Sequence, residues 1–252
     1  MPAQAQLTPP PAPASAPVDA AQAKVLLMRM AARLGEARQF SVTMQASYDV
    51  VQNSGQKIEF GETRRIRLSR PDHLRIDLER SDGEKQQVYF DGKDLTVFHP
   101  DENVVAKLAK TGTVDDIIRH LNGELRTPIP LSALLLTDLP RELETRVTEV
   151  AVVERTSIGG QPVDHLAART RDVDFQAWIT TGDQPVLSRV VLTYKNAVGA
   201  PQFRATLNDW DFNPTMAPSA FALTPPADAE AVPFMVPVAA KGAPPVARSK
   251  KK

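Results

Sequence analysis

Phe40-Ser41-Val42-Thr43-Met44-Gln45-Ala46-Ser47-Tyr48-Asp49-Val50 alternates apolar residues with polar or small ones over eleven positions. Side chains of a strand point to opposite faces in turn, so this stretch predicts a half-buried strand of more than average length. Asn53-Ser54-Gly55 supplies a turn. The pattern resumes in Ile58, Phe60, Ile66 and Leu68, and again in Leu74, Ile76 and Leu78. In the second run the even positions also hold Glu62 and Arg64, so a charged pair interrupts an inward face. Two readings stay open here: a bulge near Gly61 that turns the pair outward, or a polar latch at the mouth of an apolar cavity. Arg64, Arg65, Arg67 and Arg70 cluster, but Glu62 and Asp72 flank them, which reads as a solvated edge before an anion site.

Beyond these strands, Val88-Tyr89-Phe90 and Leu95-Thr96-Val97-Phe98 enclose Asp91-Gly92-Lys93-Asp94. Asp-Gly suits the positive φ angles of a tight turn, so this is a hairpin. A short strand, Val104 to Leu108, follows. The period then changes. Thr113-x-x-Asp116 resembles a capping box, with Asp in place of Glu, opening a helix through Ile117, Ile118 and Leu121. After Pro128 and Pro130 comes an apolar run containing Leu131, Leu134, Leu135 and Leu136, with Pro140 limiting its end. Residues 112–140 are therefore expected to be mostly helical. Strands return near 147–157, 162–171, 173–180, 186–195 and 202–212, separated by turn residues. Upstream, Asp19 is a plausible N-cap for a helix whose apolar stripe is read as Ala21, Val25, Met28 and Ala32, widened by Leu26 and Met30, with Gly35 near its stop. The sum is a mainly β fold of about ten or eleven strands, one N-terminal helix and a helical insertion midway. Such a sheet must twist strongly and close on itself or wrap something, and the insertion is the candidate.

Composition narrows the function classes. Thirty basic residues balance thirty acidic ones, unlike the basic balance usual in nucleic-acid binding, so no nucleic-acid partner is expected. No apolar run approaches the ~20 residues of a membrane-spanning helix. There is no cysteine, which removes disulfides, thiolate catalysis and cysteine metal sites together. His73, His99, His120 and His165 are dispersed, and no nucleophile elbow, dinucleotide fingerprint or phosphate loop is found. Asp115-Asp116 and Asp209-Trp210-Asp211 read as caps and strand edges rather than a cation site. The expectation is a protein that is not an enzyme, with no cofactor and no metal. Residues 1–18 read as a disordered Pro/Ala-rich leader and 229–252 as a flexible basic tail, leaving one domain at 19–228. Ala3-Gln4-Ala5 resembles the end of a cleavage site, and two readings stay open: an export signal absent from this chain because it has been removed, or a cytoplasmic protein with an unstructured N-terminal tail.

Residues 70–77 (Arg70-Pro71-Asp72-His73-Leu74-Arg75-Ile76-Asp77), 90–100 (through the Asp91-Gly92 turn to His99-Pro100) and 221–226 (Phe221-Ala222-Leu223-Thr224-Pro225-Pro226) together resemble the lipoprotein carrier (LolA/LolB-like) superfamily. The likeness is nearest to an uncharacterised branch of predicted periplasmic proteins. It implies a strongly curved, half-open antiparallel barrel with a helical lid, an apolar cavity that accepts acyl chains, and a periplasmic location. On that reading Phe40, Val42, Met44, Tyr48, Phe60, Ile76 and Phe98 line the cavity. Ile117, Leu121, Leu131, Leu134 and Leu135 form the lid, and Arg70, at the family's Arg-Pro position, is its latch. The absence of cysteine excludes the lipid-anchored receptor type. Lipid or lipoprotein acyl chains are the expected ligands of a monomeric carrier or chaperone. The alternative is an envelope sensor or interaction module of the same fold with a protein partner and a barrel filled by its own side chains.

Overall fold

The computed structural model describes residues 20–124 and 129–234. The expected leader, Asp19, Pro128 and most of the expected tail lie outside them. After helix α1 (Ala20–Glu36) come six strands: β1 (Gln39–Val51), β2 (Lys57–Ser69), β3 (His73–Arg80), β4 (Lys85–Phe90), β5 (Asp94–His99) and β6 (Val104–Ala109). The insertion comprises α2 (Val114–Arg119), a π turn His120–Glu124, a 3-10 turn Ser132–Leu135 and α3 (Leu139–Arg146). A second run follows: β7 (Glu149–Ile158), β8 (Gln161–Arg169), β9 (Asp174–Thr180), β10 (Leu187–Thr193) and β11 (Gln202–Asp211), then a 3-10 turn Pro218–Phe221 and β12 (Glu230–Pro233).

The strands form one curved, unclosed sheet in the order β12-β6-β5-β4-β3-β2-β1-β11-β10-β9-β8-β7. It is two antiparallel meanders joined where β1 pairs β11, with β12 added parallel to β6. The expected half-open architecture is the one observed, with β12 as a strand that the sequence did not suggest. The ordered fold thus runs past residue 228.

Alternation decides the faces. Phe40, Val42, Met44, Ala46 and Tyr48 are all buried on the inner face, and β2 pairs with β1 without a break from Gln39↔Ser69 to Val51↔Lys57. That unbroken register overturns the bulge near Gly61: Glu62 and Arg64 share the inner face with Ile66 and Leu68. On the inner face lies α1, but with a different stripe from the expected one. Ala23, Leu27, Met30, Ala31 and Leu34 are buried, whereas Ala21 is exposed and Val25 is 56% exposed. The helix is apolar around much of its circumference, so two stripes two residues apart both satisfy a 3.6 period while facing opposite ways.

The insertion is less helical than expected. The run Leu131–Leu136 forms only a 3-10 turn, entered through Leu131 at φ 64°. Pro140 does not end a helix; it sits in the first turn of α3, where its missing N–H has no intrahelical partner to lose. The capping box of α2 is complete, with Thr113 Oγ1 accepting from Asp116 N and the Asp116 carboxylate accepting from Thr113 N. Gly35 is fixed by space: a Cβ there would come 2.5 Å from Thr137 O, so α1 and the insertion touch backbone to backbone.

Candidate functional site

The half of the inner face that was expected to be a cavity is packed. Phe40, Val42, Met44, Tyr48, Ile117, Leu121 and Leu135 belong to one buried cluster with α1 residues, and Phe60, Ile76, Leu131 and Leu134 pack against it half-buried. Phe98 is on the other side. It pairs with Gln87, whereas Val97 pairs with inward Val88, so the pleat turns the Phe98 ring to the outer face. The sequence misleads there because both faces of this meander are covered. Arg75 stacks over Tyr89 on the outer face and donates to Ala220 O, which brings the C-terminal segment across it towards β12.

Arg70 ties three elements together. Its Nη2 donates to Leu34 O at the end of α1 (3.3 Å) and to Leu135 O in the insertion (3.0 Å). Burial lowers the Arg70 pKa, with Asp115 opposing that effect. Asp115 itself accepts from Thr137 N and Thr137 Oγ1, and Arg119 reaches Asp138 at 2.7 Å. The insertion is therefore held by directional bonds at its carbonyls and N–H groups as well as by its leucines.

Glu62 and Arg64 form an ion pair with side chains only 5% and 9% exposed. Arg64 also donates to Pro130 O at 3.4 Å and faces the Phe203 ring. Nearby, burial pushes the Tyr194 hydroxyl up to about 12, against the opposing field of Arg64. Of the two readings left open by the sequence, the inward one is therefore observed, with the pair in contact with the insertion.

The open space lies elsewhere. A groove of about 890 Å³ runs between α1, α3 and strands β7 to β10. Its apolar walls include Leu27, Met28, Leu143, Val150, Ala168 and Phe175, and its rim carries Lys24, Glu144, Glu149, Arg169 and Asp174. None of the residues expected in the cavity, lid or latch borders it. One small inner residue helps make the room: Ala168, opposite Val150 on the inner face, leaves the ends of β7 and β8 low beside the first turns of α1, whereas Ala151 and Ala167 pair on the outer face. Only the α1 register could have signalled this groove from the sequence, because Leu27 and Met28 sit on the border between the buried and exposed faces. Among the described residues no group of three His, Asp or Glu side chains could hold a metal ion, and no helix is long and apolar enough to cross a membrane.

Several solved structures share similarity with the chain. An uncharacterised conserved protein of Thermus thermophilus is 10% identical over 84% of this chain and 99% of its own, with a TM-score of 0.46. The lipoprotein LppX of Mycobacterium tuberculosis is 13% identical over 79% and 99%, with a TM-score of 0.49. MucB in the MucA/MucB complex of Pseudomonas aeruginosa is 16% identical over 81% of this chain, which spans 61% of the matched chain, with a TM-score of 0.43. No curated protein matches the sequence. The family model described as "Predicted periplasmic protein (DUF2092)" matches residues 23–235, nearly the whole of the sheet and its helices, and the chain belongs to that family of periplasmic proteins.

Proposed function

We propose that the protein binds, without catalysis, an acylated or otherwise hydrophobic molecule in the groove between α1, α3 and β7–β10, as a periplasmic carrier or chaperone. The observation that carries this reading is the groove itself: an open space of about 890 Å³ with apolar walls and a charged rim, beside a packed core. Apolar lining of this kind favours acyl chains at about 0.8 kcal/mol per buried methylene. Arg70 acts as the latch of the resting state, keeping the insertion down on the packed half by its bonds to Leu34 O and Leu135 O.

The filled β1–β5 half favours a second reading, an interaction module whose partner is another envelope protein. Native mass spectrometry of protein purified from the periplasm, with a fluorescent acyl probe added, separates the two. Binding of acyl lipid or probe that Ala21→Trp abolishes, at an unchanged unfolding midpoint, supports the groove. Protein that is clean and refuses excess probe sinks the carrier reading and leaves the interaction module.

A further inference from the structure

The rim of the groove neutralises itself. Lys24 Nζ lies 3.3 Å from Glu144 Oε1, an ion pair spanning from α1 to α3. Arg169 Nη1 is 3.5 Å from Glu149 Oε2, and its Nε is 4.0 Å from Asp174 Oδ1. Just beyond the rim, Lys195 Nζ reaches Asp174 at 2.9 Å and also donates to Thr170 O at 2.6 Å. Every one of these cations already faces a carboxylate.

We infer that the groove takes a single-chain amphiphile whose headgroup carries no net charge, such as an acyl ester, acyl amide or acylglycerol. The inference rests on the acyl-binding reading above and gives it a ligand class. The exposed ion pairs are individually weak, so the argument turns on balance rather than on strength. An anionic headgroup that drew Lys24 or Arg169 to itself would leave Glu144 or Glu149 unpaired a few ångströms away, well inside the screening length of about 8 Å at physiological salt. A cationic headgroup meets the converse difficulty with Lys24, Arg169 and Lys195. Uncharged groups can use what remains of Gln176, Thr148 and Thr193, which also line the groove: Gln176 Oε1 already bonds His165 Nε2, Thr193 Oγ1 accepts from Gln202 Nε2 and Thr148 Oγ1 donates to Arg169 O, which leaves the Gln176 amide N–H, the Thr193 O–H and the Thr148 oxygen. Size points the same way: about 890 Å³ falls within the range of sites for one small ligand, roughly 300–1,000 Å³, and suits one chain with a compact headgroup.

The test is competition for a bound fluorescent acyl probe by three molecules with the same chain: 1-lauroylglycerol, laurate and lauroylcholine, at neutral pH and physiological salt. The uncharged competitor is expected to act at concentrations at least about tenfold lower than either ion, equivalent to about 1.4 kcal/mol. In the double variant Glu144→Gln/Glu149→Gln, which leaves Lys24 without its carboxylate and Arg169 with only Asp174 at 4.0 Å, laurate is expected to close most of that gap to 1-lauroylglycerol. Laurate equal to 1-lauroylglycerol in the unaltered protein overturns the inference, as does a double variant with an unchanged ratio. Failure of the probe to bind at all overturns the acyl-binding reading itself, and is a different result from binding without charge preference.

Discussion

The two meanders share one sheet and treat their inner faces differently. In the β1–β6 half, Phe40, Met44, Leu68 and Phe90 are buried beneath α1 and the insertion, and Arg70 fastens that cover. In the β7–β11 half, Leu166, Ile179, Phe203 and Leu207 are buried too, but beside the first turns of α1 the inner positions are Val150, Ala168 and Phe175, and a groove stays open there. Large alternating residues build a core that needs its helices. Where Val150 faces Ala168 across β7 and β8, the same helices only roof a groove.

Stability should fall unequally on the two halves. Phe40→Ala removes a ring packed 5.4 Å from Trp210 and 6.0 Å from Phe212, and is expected to cost about 3–5 kcal/mol in denaturant unfolding. Phe175→Ala, at a half-buried groove wall, should cost much less while weakening acyl-probe binding. Equal losses of stability would show that the groove is ordinary core.

The buried charge sharpens the contrast. Arg64→Met alone leaves Glu62 unpaired and is expected to destabilise by about 3–5 kcal/mol, whereas Glu62→Leu with Arg64→Met should recover most of that loss. A single variant as stable as the wild type would mean that the pair reaches water. Arg70→Met should cost about 1–3 kcal/mol by leaving buried carbonyls short of a donor. Hydrogen exchange should quicken at Ser132–Leu136 without a comparable change in β7–β9. A uniform change across both halves would refute a local latch.

The seam between the halves offers the smallest effect. Burial tends to raise the Asp49 pKa, but bonds from Arg204 and from Gln202 N outweigh it and hold the carboxyl below its ordinary value. Its unfolded value is near about 3.9, so this stabilisation is present above that pH and is lost as pH falls through the lower folded value. Asp49→Asn should cost about 1 kcal/mol at neutral pH and flatten the acid limb of the stability curve. An unaltered acid limb would assign it to other carboxylates.

Strand order and faces were legible where one face was polar, as in β1, and the Asp91-Gly92 hairpin and Thr113 cap were legible from local chemistry. Phe98 was misread because each face of β5 carries a buried apolar residue, Leu95 on the inner face and Phe98 on the outer. The α1 face was misread because Val25 and Leu27 are equally apolar, and only the tertiary fit chooses between them. The groove left no motif, since Val150, Ala168 and Phe175 read as ordinary strand alternation. Arg70 could be singled out only through the family resemblance; its acceptors are main-chain carbonyls, Leu34 O and Leu135 O, to which no side-chain pattern points.

Strand β12 also bears on the order in which the sheet can be completed. Glu230 pairs with Val104, a partner separated from it by half the length of the chain. Closing so long a loop carries an entropic cost before any contact repays it, and such pairings form slowly. Until Glu230–Pro233 arrives, β6 is a bare strand able to pair with a neighbouring chain. Strand β12 thus works as a selvedge: it adds little to the core, and it keeps the cloth from being sewn to another.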